Sequence, residues 1–147
     1  MNKGKINPLD FYYRIWVDGI VKFRSNPTER SFWKLSVSIY INTAIAIILI
    51  ALLSIISKTY FGGKHLFGIS VSLFQIRRLN LLLGFAINYI LPLIIINYFL
   101  IFRNKRYEKL LLKYQHYQGR LFNWFCFLGI SAPPILLIIY MLLSRKK

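Results

Sequence analysis

The sequence predicts an all-α membrane protein with about three transmembrane helices, an N-terminal amphipathic interfacial helix, and a basic amphipathic helix between spans 2 and 3. Three observations predict it. Residues 35–57, 79–102 and 121–144 contain no Asp, Glu, Lys, Arg or His, and a bilayer core of roughly 30 Å takes about 20 apolar residues of helix. The chain is 56% hydrophobic and 17% aromatic over 147 residues, which suits a single integral membrane domain, 1–147. Its 20 Lys and Arg, against 4 Asp and Glu, all fall outside the three apolar runs. A soluble domain this basic usually binds nucleic acid, but the runs argue against that. The second alone holds 16 Leu, Ile or Phe residues. At about −0.3 to −0.6 kcal/mol each, they contribute on the order of −5 to −10 kcal/mol to insertion before Asn and Pro are subtracted.

The N-terminal region carries two helix-start signals, Asn7-Pro8-Leu9-Asp10 and Asn26-Pro27-Thr28-Glu29. In each, Asn accepts orphan amide hydrogens, Pro wastes none at the first helical position, and the acid meets the positive end of the dipole. The first helix, 8–24, is amphipathic. At about 100° per residue, Leu9, Tyr12, Tyr13, Trp16, Ile20 and Phe23 share one face. Asp10, Arg14, Asp18 and Lys22 share the opposite one, spaced by four with alternating sign, and mark a wet face. The aromatic face suits the headgroup layer, or packing on the protein's own spans or a partner.

The second helix is expected to start near Pro27 and run into span 1 (35–57), with Phe32, Trp33 and Tyr40 at its entry and Lys34 and Lys58 as brackets. With no apolar run before it, this span is expected to serve as an uncleaved signal anchor. In the following loop, Gly62-Gly63 marks a turn. Residues 66–76 fit a strand alternation and a helical stripe equally, and are too few to span. Span 2 (79–102) carries Pro92, which predicts a kink. Its Asn88 and Asn97 need hydrogen-bonding partners in lipid, as glue between helices or as the lining of a polar path.

Residues 103–120 read as one basic helix. Lys105, Lys109, Lys113, His116 and Arg120 fall within about 80° on the wheel, with Tyr107, Leu110, Leu111, Tyr114 and Tyr117 on the other face and Gly119 as terminator. The stripe suits anionic lipid headgroups or an acidic partner. Nucleic acid fits poorly, because the tyrosines do not interleave with the charges. Span 3 (121–144) carries Pro133-Pro134, which either kink it or turn it back as a re-entrant hairpin.

With three spans, the N-terminal region and the 103–120 loop share a side and hold 13 Lys and Arg; the other side holds 7. Positive charge stays cytoplasmic, so the N-terminus is expected inside and the C-terminus outside, in a bacterial inner membrane by default. A hairpin would put the C-terminal Arg145, Lys146 and Lys147 inside as well.

Chemistry is hard to find. The four acids are Asp10, Asp18, Glu29 and Glu108, beside His65, His116 and Cys126. No metalloprotease, P-loop, dinucleotide-binding, CxxC or nucleophile-elbow pattern occurs, and no cofactor or metal is expected. His65 and His116 are expected on opposite sides of the membrane. Cys126 reads as a small buried apolar side chain. The expected function is therefore that of a non-enzymatic subunit, assembly factor or immunity-type partner of another membrane protein. The alternative is a small homo-oligomeric pore or transporter, holin-like permeabilisation included, lined by Asn42, Thr43, Asn88, Asn97, Asn123 and Ser131. A membrane enzyme acting on a lipid-linked substrate would have to rest on Glu108 and His116.

Overall fold

A computed structural model describes residues 7–60 and 75–144. The expected turn at Gly62-Gly63, His65, most of the 66–76 segment and the C-terminal basic residues lie outside the described residues. Those described are helical, with no strand among them. The helices are α1 (Pro8–Ser25), α2 (Trp33–Tyr60), α3 (Arg77–Phe85), α4 (Leu91–Asn97), α5 (Arg106–Lys113) and α6 (Arg120–Ser144). Three helical stretches are long and apolar enough to cross a membrane, the mark of an integral membrane protein. α2 with 28 residues and α6 with 25 are two of them. The third runs through α3 and α4.

α1 starts as its residues dictate. Asn7 accepts the Leu9 N–H at 3.1 Å, and Pro8 takes the first turn. The second start signal behaves differently. The Asn26 side chain accepts from the backbone and the hydroxyl of Thr28, and residues 27–32 form successive turns before α2 opens at Trp33.

Pro92 has no N–H to give the preceding turn. The helix accommodates it with a π turn over Ala86–Ile90, closed by the Leu91 N–H on the Ala86 carbonyl. A second π turn, Tyr98–Phe102, follows α4. Pro133 and Pro134 sit inside α6, which continues through them. A re-entrant hairpin is thereby ruled out.

Cross-contacts fix the threading. Tyr40 meets Phe122, Ala44 faces Gly129, and the Thr59 and Tyr140 hydroxyls lie 3.2 Å apart. α2 and α6 are therefore parallel neighbours. Trp33 meets Phe102 while Asn42 meets Asn97, so the α3–α4 span runs antiparallel to α2. The three spans alternate in direction, and the N-terminal region and residues 103–120 gather at one end.

α1 packs into that end. Trp16 meets Phe102, and Phe23 meets Tyr40 and Phe122. Residues 15–20 are buried on every side, including Asp18. Of the face expected to be wet, Arg14 is exposed, Asp10 and Lys22 are half-buried and Asp18 is buried, and the aromatic face packs on the protein's own helices. Leu9 and Phe11, at the N-terminal end, stay exposed.

The close approach depends on Gly19. A Cβ there would lie 2.7 Å from a Phe122 ring carbon and 2.8 Å from a Val37 methyl, whereas one at Gly84 would meet nothing within 4 Å. Overpacking of this kind costs about 1–3 kcal/mol. Gly19→Leu should lower the melting temperature in detergent by several degrees, and Gly84→Leu should leave it within error. Scanning fluorimetry of both purified variants checks this.

Candidate functional site

The polar residues of α1 converge on the segment that leads into α6. α6 opens at Arg120, and Gly119, just before it, occupies the capping position: its carbonyl accepts the Asn123 N–H at 2.9 Å. Glycine has no side-chain oxygen with which to cap the first amides of the helix. Asp18 supplies one from α1. Its Oδ1 accepts the N–H groups of Tyr117 (2.5 Å) and Gly119 (2.9 Å), and its Oδ2 accepts that of Phe122 (3.1 Å). A buried carboxylate needs such donors, and the helix N-terminus favours its charge.

The rest of the ladder follows. Asp10 accepts from the Tyr114 hydroxyl at 2.6 Å, Arg14 donates to the Tyr117 hydroxyl at 3.4 Å, and Lys22 donates to Asn123 at 2.6 Å. Four side chains spaced by one turn thus bind residues 114–123 instead of one another. Gln118 (φ 54°) and Gly119 (φ 84°) both take the left-handed region to turn these amides toward Asp18. A side chain at Gly119 would also press on Lys22.

A second polar cluster lies deeper. The Tyr12 hydroxyl donates to the Asn97 carbonyl oxygen, and the Asn97 amide donates to the Asn42 carbonyl oxygen. Asn42 and Asn97 are buried, and burial pushes Tyr12 up to about 12, so it remains a neutral donor. Asn97 therefore joins α1, α2 and the second span, the glue role of the two expected for it. Asn88 instead donates to the Gly84 carbonyl of its own helix at 2.8 Å.

The expected basic stripe is interrupted. The helix stops at Phe102, Asn104 (φ 54°) and Lys105 (φ 53°) turn left-handed, and α5 covers only Arg106–Lys113. The chain then extends through Tyr114, and α6 starts at Arg120. Lys109 and Lys113 share α5. Lys105 precedes it, His116 lies in the connecting segment, and Arg120 belongs to α6, all exposed. The stretch 103–120 is broken twice, by left-handed Asn104 and Lys105 before α5 and, after it, where Asp18 takes the amides of Tyr117, Gly119 and Phe122. Gly119 begins a helix where the sequence suggested that it ends one.

In the expected interfacial face, Trp16, Ile20 and Phe23 are buried, Tyr12 and Tyr13 half-buried, and Leu9 exposed. Glu108 accepts from the neighbouring Tyr107 hydroxyl, and no bond joins it to His116. Among the described residues no group of three His, Cys, Asp or Glu could hold a metal. Cys126 is a buried free thiol. Searches against protein-family models, curated proteins and solved structures find no match.

Hydrogen bonds to charged groups contribute about 1.5–3 kcal/mol each. Asp18→Asn keeps an acceptor but turns an amide donor onto the amides it faces, and Asp18→Ala removes all three bonds. Both should destabilise, Ala by at least 2 kcal/mol (~), with faster amide exchange at 117, 119 and 122. Asp10→Asn, which still accepts from Tyr114, should shift stability little. Hydrogen exchange with mass spectrometry and thermal melts read both.

Proposed function

We propose that the chain is a three-pass protein of a bacterial inner membrane that acts as a subunit, assembly factor or immunity-type partner of another membrane protein. The reading is supported by where its polar groups point. Asp10, Asp18, Lys22 and Tyr12 tie α1 to residues 114–123 and to Asn97, and Asn97 with Asn42 ties the second span to α2. Side chains so used hold a shape and leave little for a reaction. The second span packs on α2 and exposes Leu82, Ile95, Ile96 and Phe99 along its length. Such a surface suits lipid or the span of a partner.

The pore reading asks Asn42, Thr43, Asn88, Asn97, Asn123 and Ser131 to line one path. Asn42 and Asn97 bind each other. Asn88 and Ser131 bind their own helices, and Asn123 binds Lys22. This dispersal favours the contact reading. For orientation, the end that holds α1 and α5 carries the larger basic count, which supports a cytoplasmic N-terminus.

Extraction of the tagged chain in a mild detergent should recover a distinct membrane protein in fixed ratio, and a homogeneous monomer would count against the proposal. Liposomes containing the purified chain should hold their dye. Reporter fusions at residues 1 and 147 should give opposite sides; the same side would overturn the orientation.

A further inference from the structure

We propose that the junction of α1 and α6 is a binding site for an anionic phospholipid, with its phosphate between Arg14 and Arg120 and an acyl chain in the trough that descends along α6. This goes beyond the partner reading and does not rest on it. It requires only that α6 cross a bilayer.

The headgroup end is a cavity of about 320 Å³ framed by Arg14, Tyr117 and Arg120, with Phe11 and Trp124 as walls. Arg14 is flanked one turn away on each side by Asp10 and Asp18, which would ordinarily pair with it. Here both carboxylates are drawn to Tyr114 and to the 117–122 amides. Neither guanidinium is in an ion pair among the described residues, and Arg14 bonds only the Tyr117 hydroxyl. Two planar forks that lack counter-charges and open on one cavity match a phosphate.

The tail end is a trough of about 510 Å³ that shares Phe11, Leu121 and Trp124 with the first cavity. Ile48 of α2 and Leu128 and Leu136 of α6 form its sides, and Gly129 and Ala132 add little side-chain bulk. Between Arg120 and Leu136 the helix rises about 24 Å, which exceeds the roughly 15 Å depth of one leaflet. Trp124, 63% exposed, stands where the charged end meets the apolar end, the depth that indole rings prefer.

Charge selects an anionic over a zwitterionic headgroup. The continuous trough selects a lipid over free phosphate or an acidic peptide, since neither would fill it.

Native mass spectrometry of the full chain, delipidated and then offered phosphatidylglycerol and phosphatidylcholine, tests the site. At about fivefold per arginine, phosphatidylglycerol should be retained on the order of 25-fold better. Arg14→Gln with Arg120→Gln should abolish the preference, and Arg30→Gln with Arg103→Gln, which removes equal charge at the same end, should keep it. Equal retention of both lipids, or equal losses in the two double variants, overturns the proposal. So does a lipid-free dimer, which would mean that a second copy fills the trough. Should the first double variant not fold, quenching of the wild-type chain by brominated lipids decides. Brominated phosphatidylglycerol should quench at lower mole fraction than brominated phosphatidylcholine, and Trp124→Phe should remove the difference. No difference in the wild type overturns the site.

Discussion

The carboxylate of Asp18 at the start of α6 is the interaction on which the rest of the arrangement depends. A helix that enters a bilayer from a glycine has no cap of its own, and its first amides need an acceptor. Asp18 is fully buried, and a buried carboxylate needs donors as much as the amides need an acceptor. Each satisfies the other, so α1 and α6 are held in one register. From that register follow the contacts of Asp10 with Tyr114 and Lys22 with Asn123, and the packing of Gly19 between Val37 and Phe122.

The bilayer imposes the second constraint. Lipid offers no hydrogen bonds, so an intramembrane polar group has to seek its partner in the protein; the Asn42 carbonyl oxygen has one, while its amide nitrogen is buried without one. Asn88 uses a carbonyl of its own helix, while Asn97 reaches across to Asn42 and Tyr12. The Asn97 face turns toward α1 and α2, where partners exist. Hydrogen bonds between membrane helices average well under 2 kcal/mol, about 0.6 where measured by double-mutant cycles. The cluster therefore fixes which faces meet more than it stabilises the bundle.

Much of this fold was legible in the sequence. Charge-free runs of bilayer length read directly as helices, because the hydrophobic demand of a span overrides local detail. The N-terminal helix was also visible, in its Asn-Pro start and its 3.6-residue period. What the wheel could not show was that Asp18 belongs to a capping site 101 residues away from its Gly119 partner. A wheel records which residues share a face and says nothing of what comes to rest on it. The same long-range contact accompanies the second break in the expected 103–120 helix: His116 and Arg120 fit the basic stripe by angle, but the Tyr117 and Gly119 amides between them go to Asp18. One local signal pointed the other way. Gly119 sits immediately before an apolar run, where a glycine begins the next helix as readily as it ends the last.

Sequestering the acids has an electrostatic consequence. Asp10 and Asp18 lie among eleven described Lys and Arg at one end of the bundle: Arg14, Lys22, Arg24, Arg30, Lys34, Arg103, Lys105, Arg106, Lys109, Lys113 and Arg120. Had the ladder on α1 paired with itself, two of those charges would be neutralised at contact distance. Instead Asp18 accepts backbone amides, Asp10 accepts the Tyr114 hydroxyl, Lys22 binds Asn123, and Arg14 is left with the Tyr117 hydroxyl at the surface. Each basic residue near an anionic leaflet contributes about 1 kcal/mol, about fivefold in affinity. The interaction that caps α6 thus also decides that Arg14, between two acids on its own helix, pairs with neither.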